Sequence, residues 1–137
     1  MKALIFTLGL ITSTIAFGQT ETSAGEYGNF SVSLAVKDIS ASYEFYQKVG
    51  FKRIEGFGGI DEKWLILQKD EVTIGLFEGM FPKNVMTFNP LDARSVHETI
   101  EAAGLKPTMT NGLEKEEGPC YFILEDPDGN PIYFDQH

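Results

Sequence analysis

The sequence predicts an α+β fold built from two tandem βαβββ modules whose sheets together form a concave trough. Three observations carry that expectation. Residues 30–36, Phe-Ser-Val-Ser-Leu-Ala-Val, alternate with period two and lead into a helical pattern. The span Asp38 to Gly50 recurs as Asp92 to Gly104, 54 residues later, and each Gly is followed by one apolar residue and a Lys. A repeat of that length marks a structural unit used twice. Each helical segment is then followed by three strand-like runs. A helix covers only one face of each small sheet, so two sheets joined edge to edge leave their other faces as one trough.

In chain order, the first strand has an apolar face (Phe30, Val32, Leu34, Val36) and a small, polar one (Ser31, Ser33, Ala35). Asp38 or Ser40 caps the first helix, with Ile39, Ser42, Phe45, Tyr46 and Val49 as its inner stripe and Gly50 as its stop. Strands are expected at 51–57, 63–68 and 72–77. The second module opens with a strand at 85–88. Its helix has the stripe Ala93, Val96, Ile100 and Ala103 and ends at Gly104. Strands follow at 106–110, 121–125 and 132–135. Asp126-Pro-Asp-Gly-Asn-Pro131 is a dense turn signal, which predicts a hairpin between the last two. A first-strand face that is neither apolar nor charged belongs to a cavity rather than a core.

The N-terminal stretch stands apart. Lys2 precedes an apolar run ending in Ala16-Phe17-Gly18, with small residues at the two positions a signal peptidase reads. Residues 1–18 are therefore expected to be a cleaved signal peptide, 19–29 a linker, and 30–137 a single domain with modules at about 30–80 and 84–136. The expected location is secreted or periplasmic, with no membrane attachment after cleavage. A net charge of -9 argues against nucleic acid and anionic lipid as partners. The single cysteine, Cys120, cannot form an intrachain disulfide and sits beside Tyr121-Phe122, where a small buried hydrophobe is expected.

Residues 34–52 (LAVKDISASYEFYQKVGFK), 91–106 (LDARSVHETIEAAGLK) and 124–134 (LEDPDGNPIYF) resemble the vicinal oxygen chelate superfamily, which comprises the glyoxalase, bleomycin resistance and extradiol dioxygenase proteins. The resemblance covers nearly all of the chain after residue 29 and implies the two-module trough. In metal-using members, the first and last strands of each module supply the ligands of a divalent ion through His, Gln or Glu. The matched positions here are Ser31, Gly75, a residue within 83–85, and Tyr133, which stands where a metal-binding member carries Glu. None is an ordinary ligand for such an ion. No metal and no cofactor are expected.

Other constellations carry less. His97 is expected on a helix flank or in solvent, and His137 in solvent. Asp126-x-Asp128-Gly129 lacks the spacing and closing Glu of a calcium loop. Gly56-Phe-Gly-Gly59 precedes a strand rather than a helix, so a flexible hairpin over the trough mouth is expected instead of a phosphate loop. Glu114, Glu116 and Glu117 read as a solvated loop. The expected ligand-binding set is Ser31, Ser33, Thr73, Gly75, Phe77 and Tyr133, with Trp64 and Tyr121 on strands whose facing the sequence leaves open. Such a lining suits a flat or weakly polar organic molecule.

The function expected from this reading is an exported, metal-free, glyoxalase-like protein that binds a small organic molecule. The alternative is an isomerase or lyase of the same fold, with Tyr133 or Asp135 as acid or base. A module that binds only another protein is a third possibility. The resemblance also implies a homodimer. Protein isolated from its host is expected to begin near Gln19 by N-terminal sequencing and to scatter light at about twice the chain mass. Retention of Met1 or a persistent monomer would count against those two readings respectively.

Overall fold

The computed structural model describes residues 26–137. The expected signal peptide, and the expected linker up to residue 25, lie outside the described residues. The remaining linker positions are not free: Tyr27 packs edge-on against Phe88 and Phe134, with centroids 5.4 and 5.0 Å away, and the first strand already begins at Asn29.

The first module runs β1 (Asn29–Val36), α1 (Ile39–Val49), β2 (Lys52–Gly59), β3 (Trp64–Lys69) and β4 (Val72–Glu78). The second runs β5 (Val85–Asn89), α2 (Ala93–Ala102), β6 (Met109–Asn111), β7 (Cys120–Glu125) and β8 (Pro131–Gln136). The strands form one eight-stranded sheet in the order β2-β3-β4-β1-β5-β8-β7-β6. Each module pairs its first and last strands in parallel, and the modules meet where β1 and β5 pair antiparallel. Val32 pairs with Met86, its own counterpart 54 residues on, so the pseudo-two-fold axis of the repeat passes through that pair. By the same register Gly75, opposite Ser33, corresponds to Tyr133, opposite Thr87.

Both helices start on an aspartate. Asp38 Oδ1 accepts from Ala41 N–H at 2.9 Å, and Asp92 Oδ1 from Ser95 N–H at 3.0 Å. Gly50 ends α1 in the left-handed region (φ 108°), and Phe51 N–H returns to the Tyr46 carbonyl. A feature with no sequence signal ties each helix to its sheet. Glu78, at the end of β4, accepts from Ile39 N–H at 2.9 Å. Gln136, at the end of β8, accepts from Ala93 N–H at 2.8 Å. Each last strand thus satisfies one of the orphan donors of its module's helix.

Two cores result, one under each helix. Ile39, Leu65, Leu67, Ile74 and Leu76 form the first. Ala93, Val96, Ile100, Cys120, Phe122, Leu124 and Phe134 form the second. Cys120 is the expected buried hydrophobe, and burial pushes its thiol up. The expected helix stripes need correction. α1 turns Ile39, Tyr43 and Tyr46 to the sheet, while Phe45 and Val49 are 60% and 50% exposed. The apolar residues at 45 and 49 sit on the helix flank because the 3.6-residue period carries the inner stripe from 39 through 43 to 46. Ala103 is exposed as well, one residue beyond the last turn of α2.

The loops also depart from expectation. Residues 56–59 lie within β2, an edge strand irregular between Arg53 and Gly58, and do not cover the trough. β6 begins only at Met109, after Pro107, which has no N–H to give a ladder. Glu114, Glu116 and Glu117 lie exposed in a loop, as expected, and the loop is held by Arg94, whose guanidinium donates to the carbonyls of Lys115, Gly112, Gly118 and Glu117. The β7–β8 hairpin forms as expected. The Asp126 carboxylate accepts from the N–H groups of Asp128 and Asn130 and from the Asn130 side chain, which hold its carboxyl below the usual range.

At the centre of the sheet, Ser33 Oγ and Thr87 Oγ1 hydrogen-bond to each other at 2.9 Å, and both residues are buried. Ser33→Ala should cost about 1–3 kcal/mol, because it strands the Thr87 hydroxyl. The double variant Ser33→Ala/Thr87→Val should cost less than the sum of the single variants in urea unfolding. Strict additivity would show that the pair is not a coupled contact.

Candidate functional site

Strand alternation and register decide which side chains share the face opposite the helices. On β1 it presents Ser31, Ser33 and Ala35; on β4, Thr73, Gly75 and Phe77; on β3, Trp64, Ile66 and Gln68. From the second module come Val85, Thr87 and Asn89 on β5, Tyr133 and Asp135 on β8, and Tyr121 and Ile123 on β7. All eight expected ligand-binding residues therefore fall on this one face, Trp64 and Tyr121 among them. Asp135 lies there too.

The floor and the walls differ in chemistry. Ser33 and Thr87 form the central floor, where small side chains leave depth. An aromatic arc crosses above it. Trp64 and Phe77, directly paired across β3 and β4, hold their rings parallel at 6.2 Å with 6° between planes. Phe81 meets Phe77 edge-on at 5.1 Å and Tyr133 at 6.4 Å. Tyr133 in turn meets Tyr121 at 5.1 Å. Phe81 belongs to the loop between the modules and bridges their two halves.

The four positions matched to metal ligands can now be assigned. Val85 fills the position left open within 83–85, since it stands 54 residues after Ser31. Lys83 is exposed and donates to the Gly129 carbonyl, away from the trough floor. Gly75 is crowded: a Cβ there would collide with the Phe77 ring and lie 3.2 Å from Ile66 Cδ1. Tyr133 is half-buried, and burial, with Asp135 and Tyr121 adding, raises its phenol well above the ordinary range. It is therefore a neutral phenol at any physiological pH. Among the described residues, no three His, Cys, Asp or Glu side chains come together.

Asp135 and His137 stand at the β8 end of the trough. Burial raises the Asp135 carboxyl, and His137, with Nε2 3.4 Å from Oδ2, opposes that shift. Asn89 Nδ2 donates to the Asp135 carbonyl at 3.0 Å and lies 3.5 Å from His137 Nε2. His137 is thus exposed, as expected, yet it engages a trough carboxylate. His97 packs on the α2 flank, edge-on to Phe122 at 5.2 Å, and has no part in the trough.

Sequence reasoning missed Thr87, Asn89 and Phe81. Thr87 was readable as Ser33 carried through the 54-residue repeat, and Asn89 followed by alternation from it. Phe81 lies in a loop, where neither period applies. An open recess of about 440 Å³ lies on the helix side between β1 and α1, beside Leu34, Phe45 and Asn84. It contains no charged group, and Asn84 Oδ1 already accepts from Ala35 N–H. The trough offers more chemistry.

Residues 30–134 match the family model of the glyoxalase/bleomycin resistance protein/dioxygenase superfamily, and the chain belongs to that superfamily. No curated protein matches it by sequence. Among solved structures, a member of the same superfamily from Vibrio splendidus 12B01 is similar, with 18% identity and a TM-score of 0.58 over 80% of this chain and 98% of that one. Methylmalonyl-CoA epimerase from Mycobacterium tuberculosis is similar at 12% identity and a TM-score of 0.60, over 81% of this chain and 89% of that one. The Mn(II)-bound glyoxalase from Novosphingobium aromaticivorans gives 23% identity and 0.50, over 77% of this chain and 37% of that one. At these identities the likeness is one of fold.

Gly75→Ala should displace the Phe77 ring and destabilise the protein by about 1–3 kcal/mol. Most of that cost should vanish in a Phe77→Ala background. Equal costs in both backgrounds, measured by chemical unfolding, would refute the close packing of these two positions.

Proposed function

We propose that the protein binds a flat, weakly polar organic molecule in the trough without a metal, as an exported and paired member of its superfamily. One observation carries the reading: an aromatic arc lies over a small, hydroxyl-bearing floor where metal-using members place their ligands. Aromatic side chains give a flat ligand stacking and edge contacts, each worth about 0.5–1.5 kcal/mol beyond area burial. The hydroxyls and phenols add the few directed hydrogen bonds that fix orientation.

The donor chemistry at the matched positions does not fit a divalent ion. Ser31 offers a neutral hydroxyl, Val85 is apolar and buried, and Gly75 has no side chain. The Phe77 ring occupies the space above Gly75 that a ligating side chain needs. Tyr133 would have to lose a proton that its surroundings hold firmly. Export rests on the N-terminal pattern, and pairing rests on the superfamily together with the open edges at β2 and β6.

Purified protein is expected to contain far less than one equivalent of zinc, nickel, iron or manganese, and none of these ions should raise its melting temperature. The probe 9-fluorenone, flat and with one carbonyl, should quench the single tryptophan, Trp64, saturably and raise the melting temperature. Stoichiometric metal that is lost on Tyr133→Phe would restore a metalloprotein reading. Fluorenone without effect on either signal would refute the aromatic site.

A further inference from the structure

We propose that two copies of this chain meet back to back on the helix side of the β1–β5 seam, with Phe30 of each seated in the recess beside Phe45 of the other. The proposal rests on the reading of the protein as a pair and names the surface that makes the pair.

The seam is the part of the sheet that the helices leave bare. α1 packs over β3 and β4 through Ile39, and α2 over β7 and β8 through Ala93, Val96 and Ile100. β1 and β5 are the two central strands, yet both helices are centred away from them. Alternation sends Phe30, Val32 and Leu34 of β1 to this side, with Met86 and Phe88 of β5 beside them. Phe30, Val32 and Met86 belong to neither core. Phe30 is 51% exposed and Met86 36%. An apolar sheet face is stable only when another element covers it.

The bare area suits a dimer. Tyr27 continues the stripe at the Phe30 end and Phe45 at the Leu34 end, 41% and 60% exposed. Together these side chains expose on the order of 500 Å² of apolar surface, toward the upper end of what monomers leave bare. Two copies would bury about 1,000 Å² of it before any polar rim is counted, which exceeds ordinary packing contacts and approaches a specific interface.

The stripe projects at one end and is hollow at the other. Phe30 projects. The open recess of about 440 Å³ lies between β1 and α1, beside Leu34, Phe45 and Asn84. An apolar cavity of about 150 Å³ is enough to take benzene, so a phenyl ring fits there. Val32 stands midway, two residues from Phe30 and two from Leu34. A two-fold axis that lies in the interface and crosses the strands at Val32 carries each Phe30 onto the other copy's recess. The same patch is then used by both copies, as a closed pair requires. An axis along the strands would instead set Phe30 against Phe30 and leave both recesses unfilled.

Charge favours this surface over others. Two chains of net charge -9 repel unless they meet where carboxylates are absent or paired. The stripe carries no carboxylate, and Glu44, next to Phe45 in the chain, is paired with Lys48 at 2.8 Å. The sheet edges are the competing place of contact. β6 has only three residues and β2 is irregular between Arg53 and Gly58, and short or bulged strands blunt an edge. Contact through the seam also leaves both troughs facing outward and open.

The test is sedimentation equilibrium of the protein as isolated from its host and of its variants, across the micromolar range, with folding of each followed by circular dichroism. The wild-type protein should sediment as a dimer. Phe30→Glu and Phe45→Lys should each raise the dissociation constant roughly tenfold or more. The double variant Phe30→Glu/Phe45→Lys sets opposite charges against each other across the interface and should regain most of that loss. Phe57→Glu, exposed on the edge strand β2, should leave the constant unchanged. Should Phe30→Glu fail to fold, Phe45→Lys, at an exposed helix position, decides the matter. A monomeric wild type overturns the surface together with the pairing. A dimer that survives both single variants, or that Phe57→Glu abolishes, overturns the surface and leaves pairing intact. A double variant no tighter than the weaker single one overturns the reciprocal seating of Phe30.

Discussion

The antiparallel pairing of β1 with β5 is the constraint on which the rest of the molecule depends. Each module alone is a four-stranded sheet with one helix, and its uncovered face would be an ordinary half-exposed surface. Pairing through Val32 and Met86 aligns the two uncovered faces into one. It also brings Ser33 and Thr87, equivalent positions of the repeat, into mutual hydrogen bonding at the middle of the sheet. Two hydroxyls that satisfy each other can be buried on a floor that has no room for larger side chains. Trough depth and seam stability thus come from the same two residues. A one-residue slip of the seam would turn one of the two hydroxyls to the helix side and put Val32 or Met86 in its place on the trough face.

The helices are held in register with this sheet by the last strand of each module. Glu78 and Gln136 end their strands at equivalent places and accept from the first N–H of α1 and α2 respectively. Lys63 also binds Glu78, and that hydrogen bond is the largest influence keeping its carboxyl ionised. The second module uses a neutral amide for the same task. That choice matters because β8 carries Asp135 one residue earlier, and a further carboxylate beside it would add like-charge repulsion. The strand that closes the second module therefore carries one trough carboxylate while its terminal side chain caps the helix.

Much of this architecture was legible in the sequence. The alternation of β1, the two aspartate caps, the two glycine stops and the 54-residue repeat are local signals, and each corresponds to an observed element. The trough lining was legible as far as alternation reaches, including the small face of β1. The misses have physical causes. Phe45 and Val49 are apolar, but the 3.6-residue period puts them on the helix flank, away from the stripe of Ile39, Tyr43 and Tyr46. The glycines at 56, 58 and 59 read as a mobile turn, yet an edge strand accommodates them through an irregular ladder. Phe81 is invisible to any periodicity argument, because its position follows from the crossing between modules. The Arg94 contacts to loop 112–118 are long-range and leave no pattern in either segment.

Duplication explains why one trough can be apolar at one end and carry phenols and a carboxylate at the other. Gly75 and Tyr133 occupy equivalent positions of the repeat, yet one has no side chain and the other a half-buried phenol. In the first module the space above glycine is taken by the Phe77 ring, which stands parallel to Trp64 and completes an apolar wall. In the second module the phenol projects instead, with Tyr121 and Asp135 beside it. A flat molecule lying across the seam would set its hydrocarbon end against Trp64 and Phe77 and its polar end against the phenols. Its orientation would follow from this asymmetry without any metal to direct it. Phe81, in contact with Phe77 on one side and Tyr133 on the other, touches both ends, so a ligand entering the trough must move that ring or stack on it.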